Sequence, residues 1–445
     1  MDSTNFEKEK KEVLHYRWII YFLLAMVYFL SNFHKFSAGV MQDELIDSFH
    51  LSTAAFGNLS SMIFYSYLIM QIPTGILVDN LGPRKTVTLG CLVTALGSVM
   101  FAVSQVDMMA NISRFIIGIG ISVSYISLIK IQTNWFRSRE FATMTGITFL
   151  IGNLGSVLAQ TPLRLLVEAF SWRSIYLAFG AISAFMGLLV YIVVRNSPED
   201  MGLISIDLIE GKNHAAVENQ NKEKIKITKS LKNIVLNHYN WSTLAVVFSL
   251  GAITSILSGS FGAVYIRDTY KIPLLDASKF TMILTLGLAI GSTIIGYLSD
   301  YFRRRKIFML ILISTMNLIW IYIVLICKGR PGIEVLKMLY FLTGVSLSSC
   351  LLSYTVAKEY NKLNIAGMAT SCLGLLEFIG SALGPVIVGK LIDINSTLYS
   401  GGELYSKAFI VLVFCNVIAF VGTILVKETK GENIYDEILL ESKIE

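Results

Sequence analysis

The sequence predicts an all-α integral membrane fold of twelve transmembrane helices in two pseudo-symmetric six-helix halves. Three observations carry that prediction. The 445 residues are 54% hydrophobic and only 15% charged, with mean hydropathy +0.63, whereas soluble domains carry about 25% charged residues. Twelve apolar runs follow one another along the chain, each of roughly 20 residues or more, the helical length that spans about 30 Å of hydrocarbon. One short connection, Gly75-Ile76-Leu77-Val78-Asp79-Asn80-Leu81-Gly82-Pro83-Arg84-Lys85, recurs between Gly296 and Lys306 with its Gly, Leu, Asp, Arg and Lys at the same spacing. That recurrence is an internal duplication.

In order, the runs cover 17–40, 55–79, 85–105, 109–134, 140–167, 172–195, 240–265, 276–299, 305–327, 333–357, 365–390 and 405–427. Residues 1–16 form a polar, lysine-bearing N-terminus, and the first run lacks a small-residue cleavage site, so no removable signal peptide is expected. Residues 196–239 are too polar to span and read as the linker between an N-terminal half at 17–195 and a C-terminal half at 240–427; 428–445 is a tail. Lys222, Lys224, Lys226, Lys229 and Lys232 in the linker fit either a solvated stretch or an amphipathic helix at a membrane surface.

With the termini inside, Lys8, Lys10, Lys11, Arg84, Lys85, Arg137, Arg139, the run Arg303 to Lys306, Lys358, Lys362, Lys427 and Lys430 fall on the cytoplasmic side. The first outer connection, Asp43 to Ala54, holds no Lys or Arg. This bias predicts a multi-pass protein of the cell membrane, plasma or inner, with both termini cytoplasmic. The net charge of +6 lies in short connections and forms no basic patch, so the expected partners are the lipid bilayer and a small-molecule substrate, without nucleic acid, for a chain acting as a monomer. Cys91, Cys327, Cys350, Cys372 and Cys415 sit inside apolar runs at no metal-ligand spacing, so neither metal nor cofactor is expected. No nucleophile–base pair or phosphate loop stands out, which argues against an enzyme.

A charge at the middle of a spanning helix costs at least about 2.5–3.5 kcal/mol on insertion scales, so the few that occur are candidate functional groups. Glu377 is the carboxylate nearest the centre of a run, and Thr370, Gly374, Gly380, Ser381 and Gly384 share its helix face. It is the candidate proton-coupling residue; the plainer alternative is a structural hydrogen bond to a neighbouring helix. Arg114 lies about one turn into the fourth helix, with Gly118, Ser122 and Tyr125 roughly on its face. Its planar fork suits a carboxylate or phosphate, and the alternative is a hydrogen-bonding hub between helices. His34 and Lys35 in the first helix, Tyr65 in the second and Tyr125 complete the candidate substrate-binding set. Lys35 alternatively snorkels to the interface, and His34 alternatively packs. Tyr67, Gln71, Ser349, Ser353 and Tyr354 offer neutral hydrogen bonds, or plain packing. Lys35, Arg114 and Lys130 against Glu377 leave a positive surplus that an anionic substrate would balance.

At these residues the chain resembles the major facilitator superfamily. The signature G-x-x-x-D-x-x-G-x-R-K is met by Gly75, Asp79, Gly82, Arg84 and Lys85. Its second copy is met by Gly296, Asp300, Arg305 and Lys306, with Arg303 replacing a Gly, and Arg114-x-x-x-Gly118-x-Gly120 is similar to the R-x-x-x-G-x-G motif. Trp135-Phe136-x-x-Arg139-Glu140-x-Ala142, Trp172-Arg173 and Arg195-Asn196-Ser197-Pro198-Glu199 resemble the anion:cation symporter and organophosphate-exchanger side. Chains of this type are also similar to the lysosomal dipeptide-carrier group.

The resemblance implies a secondary active transporter that moves a small organic solute by alternating access, an organic anion with the proton gradient as driving force. A dipeptide or amino-acid carrier is the alternative, with Arg114 on the carboxylate and Glu377 on the amine; a drug/proton antiporter or a non-transporting solute sensor stands further off. Two departures from the sugar-acid carriers are His34-Lys35, where a Tyr…Asp-Arg arrangement is common, and the lack of an acid one or two turns after Arg114. Gating is implied as well. Asp79 would meet the N-terminal end of the eleventh helix near Ile365-Ala366-Gly367, Arg84 would hold its turn against nearby carboxylates, and Gly75, Gly82, Lys85, Asp300 and Arg305 belong to the same gating motif.

Overall fold

The computed structural model describes residues 3–137, 140–209, 234, 237–362, 366–435 and 437–438, and among them no strand occurs. Arg139, Ile365 and the five linker lysines lie outside the described residues. The first span, α1, is Ser3–Phe36, longer at its start than the apolar run because Glu7 and Lys10 pair at i,i+3 (2.7 Å) and carry the helix into the polar segment.

Thr53–Val103 runs as 51 helical residues, roughly 75 Å at 1.5 Å per residue and more than twice the hydrocarbon thickness. The rod breaks at Gly82, whose φ of 78° and ψ of 159° form a conformation that only glycine enters freely. Its arms are α2 (53–81) and α3 (83–103), so the eleven long apolar helices among the described residues make twelve crossings. The tight turn that the sequence places here is made at the single residue Gly82.

The remaining crossings are α4, Asp107–Trp135, with a break at Val123; α5, Phe141–Leu158 continued by Thr161–Ala169 across a break at Ala159-Gln160; and α6, Trp172–Val193. The second half has α7, His238–Ser260; α8, Leu274–Phe302; α9, Arg305–Ile326; α10, Ile333–Glu359; α11, Ala366–Asn395; and α12, Gly401–Leu425. A short helix, Gly262–Tyr270, follows α7. Twelve crossings put both termini on one face, the near face; the opposite one is the far face. Large apolar side chains such as Ile69, Leu96, Phe185, Leu188, Phe414 and Leu425 are exposed on the outside, a surface matched to lipid and not to water.

The hydrogen bonds joining the described parts of the two halves cluster towards the far face. Gln160 donates to the Ser258 carbonyl (3.1 Å) and accepts from Thr281 (2.7 Å), Ser278 donates to Thr161 (3.0 Å), and Arg267 pairs with Asp43. Asp393 accepts the N–H groups of Thr53 and Ala54. Glycines let the backbones touch there: a Cβ on Gly57 would stand 2.4 Å from the Pro385 carbonyl oxygen, and one on Gly389 2.5 Å from that of Thr53. On the near side, Gly75, Gly146 and Gly367 have nothing within 4 Å of a Cβ. The halves are therefore closed at the far face and apart at the near face.

The beginning of the tail is packed, not free. Glu428 accepts the first N–H groups of α9 from Arg305 (2.7 Å) and Lys306 (3.0 Å), and the Ile434 N–H reaches the Glu359 carbonyl (2.9 Å). Ile438 is buried.

Candidate functional site

Between the halves lies a cavity of about 500 Å³, within the 300–1,000 Å³ usual for ligand sites. Tyr28, Asn32 and Lys35 of α1, one helical face at i, i+4 and i+7, form part of one wall with Tyr67 and Gln71 of α2, Tyr125 of α4 and Asn153 of α5. Tyr354 of α10 and Glu377, Phe378 and Ser381 of α11 line the other. Towards the near face the lining ends in Thr74, Lys358, Thr370 and Ser371, and Lys358 and Ser371 are exposed.

Lys35, in the last turn of α1, holds its Nζ 4.3 Å from the centre of the Tyr67 ring, and no described carboxylate is close enough to pair with it. Phe378 packs against the same Tyr67 ring at 4.8 Å, and Tyr125 packs against both Tyr28 (5.4 Å) and Phe149 (5.8 Å). Opposite, Tyr354 donates its hydroxyl to Glu377 Oε2 at 2.6 Å. The backbone of Glu377 is pressed against α7, where a Cβ on Gly251 would stand 2.4 Å from its carbonyl oxygen. Glu377 and Lys35 line the same chamber from its two walls.

Of the residues that the sequence nominates, Lys35, Tyr125, Glu377, Tyr67, Gln71 and Tyr354 thus meet in one chamber. Arg114, His34, Tyr65, Ser349 and Ser353 do not line it. Arg114 is fully buried inside the N-terminal half, donating from Nε to the Leu59 carbonyl (3.0 Å) and from Nη1 to the Tyr176 hydroxyl (3.0 Å). α4 reaches the cavity with Ser122, Tyr125 and Ile126, whereas Arg114, nearer the far face, points between α2 and α6. His34 is enclosed with Tyr176 and Phe179, its ring nitrogens unbonded. Lys130 bonds Asp79 at 2.9 Å on the exposed near side. The expected surplus of cations therefore shrinks to Lys35 facing Glu377, with Lys358 at the solvated mouth.

The gating motif is also placed. Arg84 is held by carbonyl and ring, not by carboxylates: its Nε donates to the Tyr191 carbonyl (2.8 Å), its guanidinium lies 4.8 Å from the Tyr191 ring, and its backbone N–H donates to Asn196 Oδ1 (2.9 Å). A Cβ on Gly82 would collide with Asn196 at 2.6 Å, so the glycine supplies both the turn and the seat. Lys85 is exposed. In the second copy, carboxylates do hold the arginine: Arg305 pairs with Asp300 (2.5 Å) and Glu359 (3.2 Å). Asp79 does not reach α11 in this form. The contact that sequence reasoning missed is at the other end of α11, where Asp393 meets α2.

Comparison with known proteins agrees with this architecture. The family model described as Major Facilitator Superfamily matches residues 18–385 and again 243–438. The chain is 22% identical over 394 residues to "Uncharacterized transporter YybO" of Bacillus subtilis (strain 168), covering 86% of this chain and 89% of that one. It is 21% identical over 428 residues to "Probable galactarate/D-glucarate transporter GarP" of Escherichia coli (strain K12), covering 92% and 94%. A solved bacterial homologue of the human lysosomal transporter Spinster, inward-facing and unoccupied, shares the fold with a TM-score of 0.71 at 17% identity, covering 96% of this chain and 98% of that one. With a duplicated twelve-helix frame, a solute-sized chamber between its halves and a family model spanning both, the chain belongs to the Major Facilitator Superfamily, as a membrane-embedded secondary transporter of small solutes and not an enzyme.

Proposed function

We propose that this chain is a proton-coupled carrier of small organic anions in the cell membrane, a monomer with both termini cytoplasmic. The observation that supports it most is Lys35, a cation inside the chamber that lacks an ion-pair partner. An anion entering the chamber supplies that partner. While Glu377 is ionised, its charge competes with the anion for Lys35; once it takes a proton, the competition ends. Anion and proton then cross together, and the proton gradient drives accumulation.

With the near face cytoplasmic on the positive-inside bias, the form described here is open to the cytoplasm. Closing that side brings Asp79 to the first turn of α11, and opening the other releases Asp393 from α2. In this reading Arg114 acts at one remove, tying α4 to α2 and α6 so that the chamber wall keeps its shape.

A second reading uses the same pair: a zwitterion such as a dipeptide, its carboxylate on Lys35 and its amine on ionised Glu377. The test is thermal stabilisation of the detergent-purified chain by monocarboxylates, dicarboxylates, phosphate esters, amino acids and dipeptides at acidic and neutral pH, since ligands of the folded state raise its melting point. Stabilisation by anions, stronger in acid, supports the carrier of anions. Stabilisation by dipeptides alone, at neutral pH, replaces it with the zwitterion reading.

A further inference from the structure

We infer that the chamber accepts one negative charge on a flat, largely apolar body, an aromatic monocarboxylate, and rejects dianionic and polyhydroxylated acids. This inference rests on Lys35 being the anion site.

The first argument is charge. Among the described residues, no arginine lines the chamber and its cations are Lys35 and Lys358, the second in solvent at the mouth. Arg114, which could neutralise a second charge, is sealed inside the N-terminal half by Leu59 and Tyr176. With Glu377 protonated, Lys35 balances one carboxylate. A second carboxylate or a phosphate stays uncompensated in a low-dielectric site, and a lysine ammonium lacks the fork that grips phosphate.

The second argument is hydrogen bonding. A polyol needs donors and acceptors along its length, and four hydroxyls of the C-terminal wall already donate to carbonyls of their own helices. Thr254 does so to Leu250 (2.8 Å), Ser255 to Ala252 (3.0 Å), Thr285 to Thr281 (2.8 Å) and Ser348 to Val345 (2.6 Å). Among the described residues, that leaves Gln71 and Asn153 on one wall and Ser258 and Ser381 on the other as unbonded polar side chains. What surrounds Lys35 instead is aromatic: Tyr67 beneath its Nζ, Phe378 against Tyr67 from the other half, and Tyr28 against Tyr125 on the N-terminal wall. A carboxylate on Lys35 therefore brings its body up against ring faces, which suit another ring. Galactarate and glucarate, with two carboxylates and four hydroxyls each, fit neither feature.

Four probes separate the two arguments in thermal-shift titrations of the purified full-length chain at mildly acidic pH, kept above the range in which the probes' own carboxylates take up protons. Phenylacetate is aromatic with one charge, phthalate aromatic with two, gluconate a polyol with one and galactarate a polyol with two. Phenylacetate is expected to bind about tenfold or more tighter than phthalate and gluconate, galactarate to be weakest, and Lys35→Gln to abolish the phenylacetate shift. Phthalate or galactarate binding as tightly as phenylacetate overturns the single-charge rule. Gluconate equal to phenylacetate overturns the preference for a flat body. No shift from any of the four, on protein that melts cooperatively, removes the anion reading itself and this inference with it.

Discussion

The carboxylate of Asp393, in the last turn of α11, accepts the backbone N–H groups of Thr53 and Ala54 that open α2, at 3.0 and 2.8 Å. Those groups have no partner within their own helix, and the helix dipole adds to the attraction. At the other end of the same two helices the roles are exchanged: Asp79 closes α2, and the first turn of α11 stands opposite. There the carboxylate bonds Lys130 instead. Each helix ends in an aspartate suited to the start of the other, and in this form one of the two pairs is made.

Asp393→Ala should move the population towards the form open at the far face. Losing two hydrogen bonds at a helix start is worth about 1–2 kcal/mol, or roughly a five- to thirtyfold change in the ratio of forms. Labelling of a cysteine placed at Ser258, a chamber residue near the far side, by an impermeant reagent added to the far face should accelerate accordingly. An unchanged rate would deny Asp393 any part in the gate.

Asp79→Asn should separate stability from turnover. Its ion pair with Lys130 is exposed on both sides (68% and 43%), so the melting point should hardly move, exposed pairs being worth about 0–1 kcal/mol. Transport should fall about tenfold or more if the closed near face depends on a charged carboxylate at the start of α11. Measuring both on one preparation decides between a gate and a topology signal.

For coupling, Glu377→Gln should bind the anion without dependence on pH between acid and neutral conditions, and should exchange it across vesicles while failing to accumulate it against a gradient. Lys35→Gln should lose binding about tenfold or more, and Lys35→Arg should restore part of it. Accumulation by Glu377→Gln equal to the wild type would remove the carboxyl from the coupling mechanism.

Arg114→Met should lower stability by about 1–2 kcal/mol, because it removes two buried hydrogen bonds, to the Leu59 carbonyl and the Tyr176 hydroxyl, of which the hydroxyl keeps Ser37. The fraction that folds should bind phenylacetate as the wild type does. Lost affinity with unchanged melting would place Arg114 at the substrate instead.

Glu140 gives a prediction in pH. Burial alone would raise its carboxyl, but the Arg17 fork (2.7 Å) and the Arg137 N–H (3.0 Å) outweigh it and hold the group below the usual carboxylate range. A depressed folded-state value adds stability above the unfolded value of about 4.3 and loses it as pH falls through the lower, folded one. Wild type should therefore melt higher than Glu140→Gln at neutral pH, by up to about 1 kcal/mol for this partly exposed pair. The two melting curves should converge in acid.

How legible the molecule is in its sequence depends on what each feature requires. The crossings are readable because hydrocarbon demands length and apolarity, and the duplicated turn because Gly and Asp recur at matched spacing. Lys35 and Glu377 are readable because charges within apolar runs are scarce. Arg114 satisfies the same criterion and lies elsewhere, since a helix's rotation about its axis depends on its packing partners, here Leu59 and Tyr176. Asp393 resembles any charge at a span's end, and its meaning appears only when a backbone 339 residues away is brought to it.

The glycines at the near side carry a last consequence. Gly75, Gly146 and Gly367 have open space where a side chain would go, whereas their far-side counterparts are already in backbone contact. A Cβ at Gly75 or Gly367 would meet nothing within 4 Å in the form described here, so a larger residue there should cost that form little. In the opposite form the same residue would be a doorstop, holding the helices apart by its own width. Such a variant would melt as the parent does, bind from one side as the parent does, and never complete a cycle.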